Sequence, residues 1–376
     1  MVTTILHLIT GLETGGAEQM LVRLVTRLDP QRHRSVVISM TGPGTLGAAL
    51  CGTGIELYSL NMRRGWPDPR ALSRLAGILR RVRPDIVQTW LYHADLLGTV
   101  GRQLAGVPCR LFWNIQCTDM AGWNVVRKLL ARLSRVVDLV VANSLSGQRF
   151  HEALGYRPRC WVHIPNACDT AEFAFDAEAR RALRAEWGVG DGQIAIGLPA
   201  RYHPMKDHGN FLAAATRLIG RRPETIFVLA GPGADRGSAE LTEAVARHGL
   251  TDRVRLLGNR EDMPRVYSAL DIATLSSAYG EGSPNVLVEA MSCGLPCAAT
   301  DCGDVAEMLG PHGLVVPRRD PAALSSAWER LVALGAAGRA TLGRNARCRA
   351  IERYDVDIIA TRYDRLYDHG KAPVCG

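Results

Sequence analysis

Short apolar runs alternate with longer segments of helical periodicity along nearly all of the 376 residues, and this alternation constrains the fold more than any other feature. Strand-like runs fall at 4–9, 34–39, 55–58, 85–89, 109–113, 138–142 and 160–164. Between them lie helical segments at 16–28, 45–51, 69–82, 95–105, 123–134 and 145–153. A charged helical stretch over 171–192 leads into a second series, with strands at 194–199, 225–230, 253–257, 271–275 and 296–299. Its helices are expected at 238–247, 262–269, 285–291, 321–334 and 338–350. Strand–helix–strand repetition of this kind builds doubly wound parallel sheets, and the length suits two of them. In such sheets ligands bind at the carboxyl ends of the strands.

The most informative strand end is Leu275 to Asp304, LSSAYGEGSPNVLVEAMSCGLPCAATDCGD. It reads as strand, glycine-rich loop, helix and strand. Gly282 permits close approach of a ligand to the backbone, and Pro284 suits the first helical turn. The N–H groups of Ser283, Asn285 and Val286 then face an anion with the helix dipole behind them. Glu281 stands beside the bound group, and Glu289 lies about two turns lower. A phosphate flanked by hydroxyls, as in a sugar nucleotide, fits this layout. An ordinary helix start with two solvated glutamates is the plain alternative.

EGSPNVLVEA resembles the E-x7-E motif of retaining GT-B glycosyltransferases of the large family 4. The resemblance implies that Glu281 contacts the donor sugar and Glu289 the nucleotide ribose. It extends to Gly15 and Gly16 in TGLETGGAE, which match the family's GG-x-E segment beside the donor diphosphate or the acceptor. Arg201 and Lys206 match the family's cationic pair; arginine can hold a diphosphate as a fork and lysine as a point charge. The loop at Gly231 and the segment at Gly258 and Asn259 correspond to loops near the nucleotide. VHIPNACDT, 162–170, resembles the stretch where these chains cross between domains. The implied domains are 1–168 and 169–352, with 353–367 crossing back onto the first. Many relatives carry a histidine where this chain has NIQCTD, so Gln116 and Cys117 occupy that neighbourhood. His93, after the strand at 85–89, is the alternative catalytic candidate.

Composition narrows the function further. Residues 1–168 carry 20 Lys and Arg against 10 Asp and Glu, a net +10, whereas 169–376 carry 25 against 27, a net −2. The basic residues are not interleaved with aromatics in a nucleic-acid module, so no nucleic acid partner is expected. An anionic membrane face or lipid-linked acceptor suits the basic half. Arg63, Arg64, Arg80, Arg81, Arg83, Arg127, Lys128, Arg132 and Arg135 carry that charge. No run approaches a membrane span, and the N-terminus reads as a strand, so a cytoplasmic location is expected. The ten cysteines show no zinc spacing. TGLETGG does not match the dinucleotide fingerprint.

The resemblance implies an α/β fold of GT-B type, two Rossmann-like domains facing across a cleft. It implies transfer of a sugar from a nucleotide-diphosphate donor, a UDP-sugar favoured over a GDP-sugar, to a glycan or lipid-linked hydroxyl. Retention, no metal and no cofactor belong to the same expectation. The runner-up is a binding protein or epimerase-like enzyme on the same fold.

Overall fold

The computed structural model describes residues 2–13, 15–63, 68–116 and 124–368. The chain divides into two compact units, Met1–Ala167 with Val356–Gly376, and Cys168–Asp355. These limits lie one residue before and three residues after those expected from the sequence. The Cys168 N–H donates to Tyr354 O at 2.8 Å, which ties both crossover segments into the second unit.

The first unit holds β1 (Thr3–Ile9), α1 (Gly16–Val25), β2 (His33–Ser39), β3 (Glu56–Ser59), α2 (Pro69–Val82), β4 (Ile86–Trp90) and α3 (Tyr92–Ala105). β5 (Arg110–Ile115), α4 (Asn124–Leu133), β6 (Leu139–Ala142), α5 (Leu145–Ala153) and β7 (Trp161–His163) follow. The seven strands are parallel in the order β3-β2-β1-β4-β5-β6-β7. Alternation along each strand divides the core in two. Leu6, Leu8, Val36 and Ile38 face one side with Leu75, Leu79 and Leu130, whereas Ile5, Ile9 and Val37 face the other with Met20 and Leu21. Fully burying one such side chain contributes roughly 1.5–3 kcal/mol.

The last described helix of the chain belongs to this unit. Its Ile359, Tyr363 and Tyr367 are buried in the second of those cores. The Tyr367 hydroxyl donates to Gln88 Oε1 at 2.5 Å, and Asn114 Nδ2 donates to the Tyr363 hydroxyl at 2.8 Å. Each bond ties a buried strand amide to a tyrosine 249 or 279 positions away in the chain.

The second unit contains α6 (Ala177–Glu186), β8 (Ile194–Pro199), α7 (His208–Ile219), β9 (Thr225–Ala230), α8 (Ala239–Arg247), β10 (Val254–Gly258) and α9 (Met263–Ala269). β11 (Ile272–Leu275), α10 (Asn285–Ser292), β12 (Cys297–Thr300), α11 (Val305–Leu309), β13 (Gly313–Val316), α12 (Pro321–Ala333) and α13 (Gly335–Tyr354) complete it, before α14 (Val356–Asp368) returns to the first unit. Its sheet is parallel with the order β10-β9-β8-β11-β12-β13. Strand order reverses between β8 and β11, which is where doubly wound sheets open a ligand crevice.

Three local expectations change. The segment 45–51 is a 3-10 turn, Leu46–Leu50, cut short by Gly52 and Gly54 at φ 79° and 80°. The helix in 171–192 is confined to Ala177–Glu186; Asp176 Oδ1 accepts from the N–H groups of Glu178 and Ala179 at 2.8 and 3.0 Å, and Gly188 at φ 66° ends it. α3 begins at Tyr92, so His93 and Asp95 lie inside its first turn and not ahead of it.

Candidate functional site

The carboxyl edge of the second sheet is assembled from segments far apart in sequence. After β8 the chain passes exposed Arg201 and makes a 3-10 turn, Pro204–Lys206. His203 Nδ1 accepts from the Met205 N–H at 3.2 Å. Asp207, at φ 47°, caps α7 by accepting from the Asn210 N–H at 3.1 Å. The loop after β11 is stitched to this turn: the Ala278 N–H donates to Met205 O at 2.8 Å and Ser276 Oγ to Lys206 O at 2.6 Å.

These contacts bring together the two charged motifs. Lys206 Nζ lies 2.5 Å from Glu281 Oε1, the side chains being 12% and 8% exposed. Ser277 Oγ donates to the same oxygen at 2.5 Å. One carboxylate thus fixes an ammonium and a hydroxyl on the sheet edge. The Lys206 charge is balanced before any ligand arrives, while Arg201 remains exposed. Both cations lie near His203: partial burial first, then Arg201 and Lys206, push its imidazole below the ordinary value.

Two glycines shape the backbone around this pair. A Cβ on Gly303, at φ 70°, would stand 2.5 Å from Glu281 O and 2.7 Å from Gly282 O, and the Asp304 N–H donates to Gly282 O at 3.1 Å. The Glu281–Gly282 loop is therefore clamped by the turn after β12. A Cβ on Gly231, at φ 148°, would meet Ala200 O at 2.4 Å, so the β9 turn lies flat against the start of the Arg201 segment. Asn259 follows Gly258 at φ 67° and is exposed.

The motif helix α10 starts as the sequence indicates, with one change. Pro284 is its N-cap, at ψ 115°, and not part of the first turn, because a proline there presets the entry of the chain without taking a helical ψ. Gly282, Ser283 and Pro284 are buried; Asn285 and Val286 are half-buried and form the reachable part of the helix start. Glu289 is buried, and the Tyr267 hydroxyl donates to its Oε2 at 3.0 Å. Burial first and the Glu289 charge second raise the Tyr267 phenol well above its ordinary value, which keeps it a donor. From behind, α13 packs on α10 so closely that a Cβ on Gly343 would lie 1.8 Å from Gly294 O.

Sequence reasoning missed Ser277, Tyr267, Gly303 and Arg318. Arg318 Nη1 reaches Ala278 O at 3.5 Å across the carboxyl end of the sheet. Only Ser277, four residues before Glu281, stood close enough in sequence to be noticed.

In the first unit, Gly15 is the N-cap of α1 and Gly16 its first residue. A Cβ on Gly15 would meet Glu18 Oε2 at 2.3 Å. His93 is exposed on the first turn of α3, behind Leu91 at φ 74°, a conformation leucine rarely adopts. Partial burial lowers its pKa. Gln116 donates to Asn114 Oδ1 at 2.6 Å and accepts from Asn143 Nδ2 at 3.2 Å, an amide network closing the ends of β5 and β6. Cys117 and Arg64 lie outside the described residues.

Comparison with known proteins decides the family. Residues 14–172 match the family described as Glycosyltransferase Family 4, and residues 193–333 match Glycosyl transferases group 1. The chain is a family 4 glycosyltransferase. This glycosyltransferase is 28% identical over 347 residues to the EpsF protein of Bacillus subtilis; the match covers 89% of this chain and 88% of EpsF. It is 27% identical over 247 residues to the UDP-Gal:alpha-D-GlcNAc-diphosphoundecaprenol alpha-1,3-galactosyltransferase of Escherichia coli, covering 62% of each chain. Among solved structures, Anabaena HepE in complex with UDP superposes with a TM-score of 0.85 at 22% identity, over 97% of this glycosyltransferase and all of HepE. The shared fold is GT-B, two Rossmann-like units. A binding protein or an epimerase is not favoured by these relatives.

Proposed function

We propose that the protein transfers a hexosyl or N-acetylhexosaminyl group from a UDP-sugar to a hydroxyl of a glycan or lipid-linked acceptor in bacterial polysaccharide or glycolipid synthesis, with retention at the anomeric carbon. The observation that carries this reading is the Lys206–Glu281 contact between the turn after β8 and the loop after β11, the two strands at which the sheet order reverses. Relatives support the substrate classes: the Escherichia coli enzyme is named for UDP-Gal and a diphosphoundecaprenol acceptor, and HepE was solved with UDP and with UDP-glucose.

In this reading Arg201, Lys206 and the half-buried turn at Asn285 and Val286 receive the diphosphate, Gly231 and Asn259 border the nucleotide, and Glu289 takes the ribose. Glu281 accepts from a donor-sugar hydroxyl while Lys206 holds its carboxylate in place. As the bond from the anomeric carbon to the diphosphate oxygen breaks, negative charge grows on that oxygen, where preorganised cations stabilise it most. The acceptor oxygen bonds to the anomeric carbon on the same face and its proton passes to the departing phosphate oxygen. The cations, with no metal or cofactor, carry this step. His93 is proposed to orient the acceptor from the first unit. The protein works in the cytoplasm, at the inner face of the membrane where such acceptors are held.

The test is release of UDP with purified protein, a polyprenyl-diphosphate glycan acceptor and a panel of UDP-glucose, UDP-galactose, UDP-N-acetylglucosamine and GDP-mannose, in excess EDTA. Acceptor-dependent turnover with one UDP-sugar and an unchanged anomeric configuration in the product are expected. Turnover with GDP-mannose alone, an inverted product, or rescue only by added magnesium or manganese each overturns the matching part.

A further inference from the structure

The solvent side of a helix on a globular unit is normally polar. On α4 it is not. The inner side packs as expected: Leu130 and Ala131 are buried and Val126 and Leu133 lie against the core. The outer side carries Val125 at 82% exposure and Leu129 at 42%, and the following turn adds Val136 at 52%. Val125 and Leu129 stand one helical turn apart on one side of α4. Lys128, Arg132 and Arg135 alternate with them and are exposed. Arg127 is different: it is half-buried, with its guanidinium carbon 6.0 Å from the Phe150 ring, so it is not part of this surface.

This surface continues sideways. α3 packs beside α4 and exposes Val100 and Leu104. α2 packs beside α3; its Arg80 donates to Leu104 O at 2.7 Å and to Ala105 O at 3.2 Å, and Arg70, Arg74 and Arg81 are exposed along it. Across α2, α3 and α4 the one acidic residue is Asp95, which is buried against Thr89. Three neighbouring helices thus present apolar side chains and cations with no exposed carboxylate of their own.

We infer that the outer face of α2, α3 and α4 docks on an anionic lipid bilayer, with Val125, Leu129 and Val136 entering the interface and Lys128, Arg132 and Arg135 set against lipid phosphates. Amphipathic helices bind bilayers through this combination of shallow apolar insertion and attraction to anionic headgroups. Arg74 is paired with Asp68 and Arg81 lies over the Tyr58 ring, so the cations that face outward are chiefly Lys128, Arg132 and Arg135, a run that a sheet of lipid phosphates matches better than a protein partner of mixed surface. The inference deepens the acceptor reading by naming the surface that meets the membrane. It is measured without any sugar nucleotide, so it stands or falls apart from the transfer reaction.

The experiment is co-sedimentation of the full chain with vesicles of phosphatidylcholine alone and of phosphatidylcholine mixed with phosphatidylglycerol, at low and physiological salt. Binding to the anionic vesicles only, weakening as salt rises, is expected. Lys128→Glu with Arg132→Glu and Arg135→Glu lowers the partition coefficient by ~100-fold or more. Leu129→Ser with Val125→Ser lowers it without changing its salt slope, while the melting temperature and transfer to a water-soluble acceptor stay as in the parent. Equal binding to both vesicles, binding to neither, a melting temperature that falls in the serine variant, or a dimer that these substitutions dissociate would each overturn the inference.

Discussion

Lys206 Nζ and Glu281 Oε1 are 2.5 Å apart although 75 residues separate them in the chain. The contact joins the turn after β8 to the loop after β11 and makes their charges one unit. Lys206→Ala removes a cation and leaves the buried Glu281 carboxylate without its ammonium partner. Breaking a buried pair from one side costs roughly 3–5 kcal/mol. Transfer is expected to fall by ~10²-fold or more. Lys206→Ala combined with Glu281→Gln is expected to cost much less than the product of the two single effects, because the pair acts together. Steady-state kinetics of the four proteins check this; strict multiplicativity, or activity of Lys206→Ala within a few-fold of the parent, removes the pair from the site.

Gly303→Ala tests the clamp behind Glu281. The new Cβ is aimed at two backbone oxygens, 2.5 and 2.7 Å away, and the φ of 70° disfavours any L side chain. The backbone must shift, and a shift of about 1 Å at a reacting group can cost up to ~10²-fold in rate. We expect kcat/KM for the donor to drop at least ~10-fold, with UDP affinity, read by calorimetry, falling too. Gly52→Ala, where φ is 79° and the Cβ meets nothing within 4 Å, serves as the control for strain alone.

Tyr267→Phe removes the hydroxyl that donates to Glu289. A hydrogen bond to a charged group contributes about 1.5–3 kcal/mol, so that much stability is expected to go from the second unit. UDP should bind more weakly as well, since Glu289 loses the donor that orients it. Chemical denaturation and UDP titration give the two readouts. Weaker stability with unchanged UDP affinity would remove Glu289 from the nucleotide site.

Acid sensitivity follows from four buried imidazoles among the described residues, His7, His33, His151 and His208, each lowered by burial. Burial lowers His7 to about 3, and His151 and His208 to about 4, from an ordinary value of 6.5. His151 is held neutral by geometry as well: Nδ1 lies 2.7 Å from Gly147 O and Nε2 2.6 Å from the Tyr92 hydroxyl, which fits a proton on Nδ1 and an acceptor at Nε2. Below 6.5 the unfolded chain takes up protons that the folded chain refuses. The stability these groups contribute is therefore full above pH 6.5 and is lost as pH falls toward 4, by about 1.4 kcal/mol per pH unit for each histidine. Urea denaturation at pH 7 and pH 5 is expected to show a marked loss, reduced in His151→Gln. A flat profile across that interval would contradict it.

The β/α alternation and the strand ends were legible in the sequence because period and punctuation are local properties. The cation pair and the two glutamates were legible because they sit in compact strings. The Lys206–Glu281 contact was not, since it depends on β8 and β11 becoming neighbours where strand order reverses. Tyr267 was invisible for the same reason: it lies on α9, 22 residues before Glu289, and nothing local marks its hydroxyl as aimed at that carboxylate. Pro284 was placed one position too deep because a proline serves at the cap and in the first turn with similar ease. The basic first half was plain from counting, but the count could not separate Arg127, turned toward Phe150, from Lys128 and Arg132, turned to solvent.

The near-touching of Gly343 and Gly294 bears on how such a chain can change over time. Replacing a mid-helix glycine by alanine ordinarily stabilises a helix by about 0.5–1 kcal/mol, so α13 looks like an easy place to harden the fold. At Gly343 the added methyl would stand 1.8 Å from Gly294 O, and α13 would have to lift away from the helix that carries Glu289. A stabilising drift in α13 is thereby converted into a displaced α10. Lineages that keep the activity are expected to hold a glycine here.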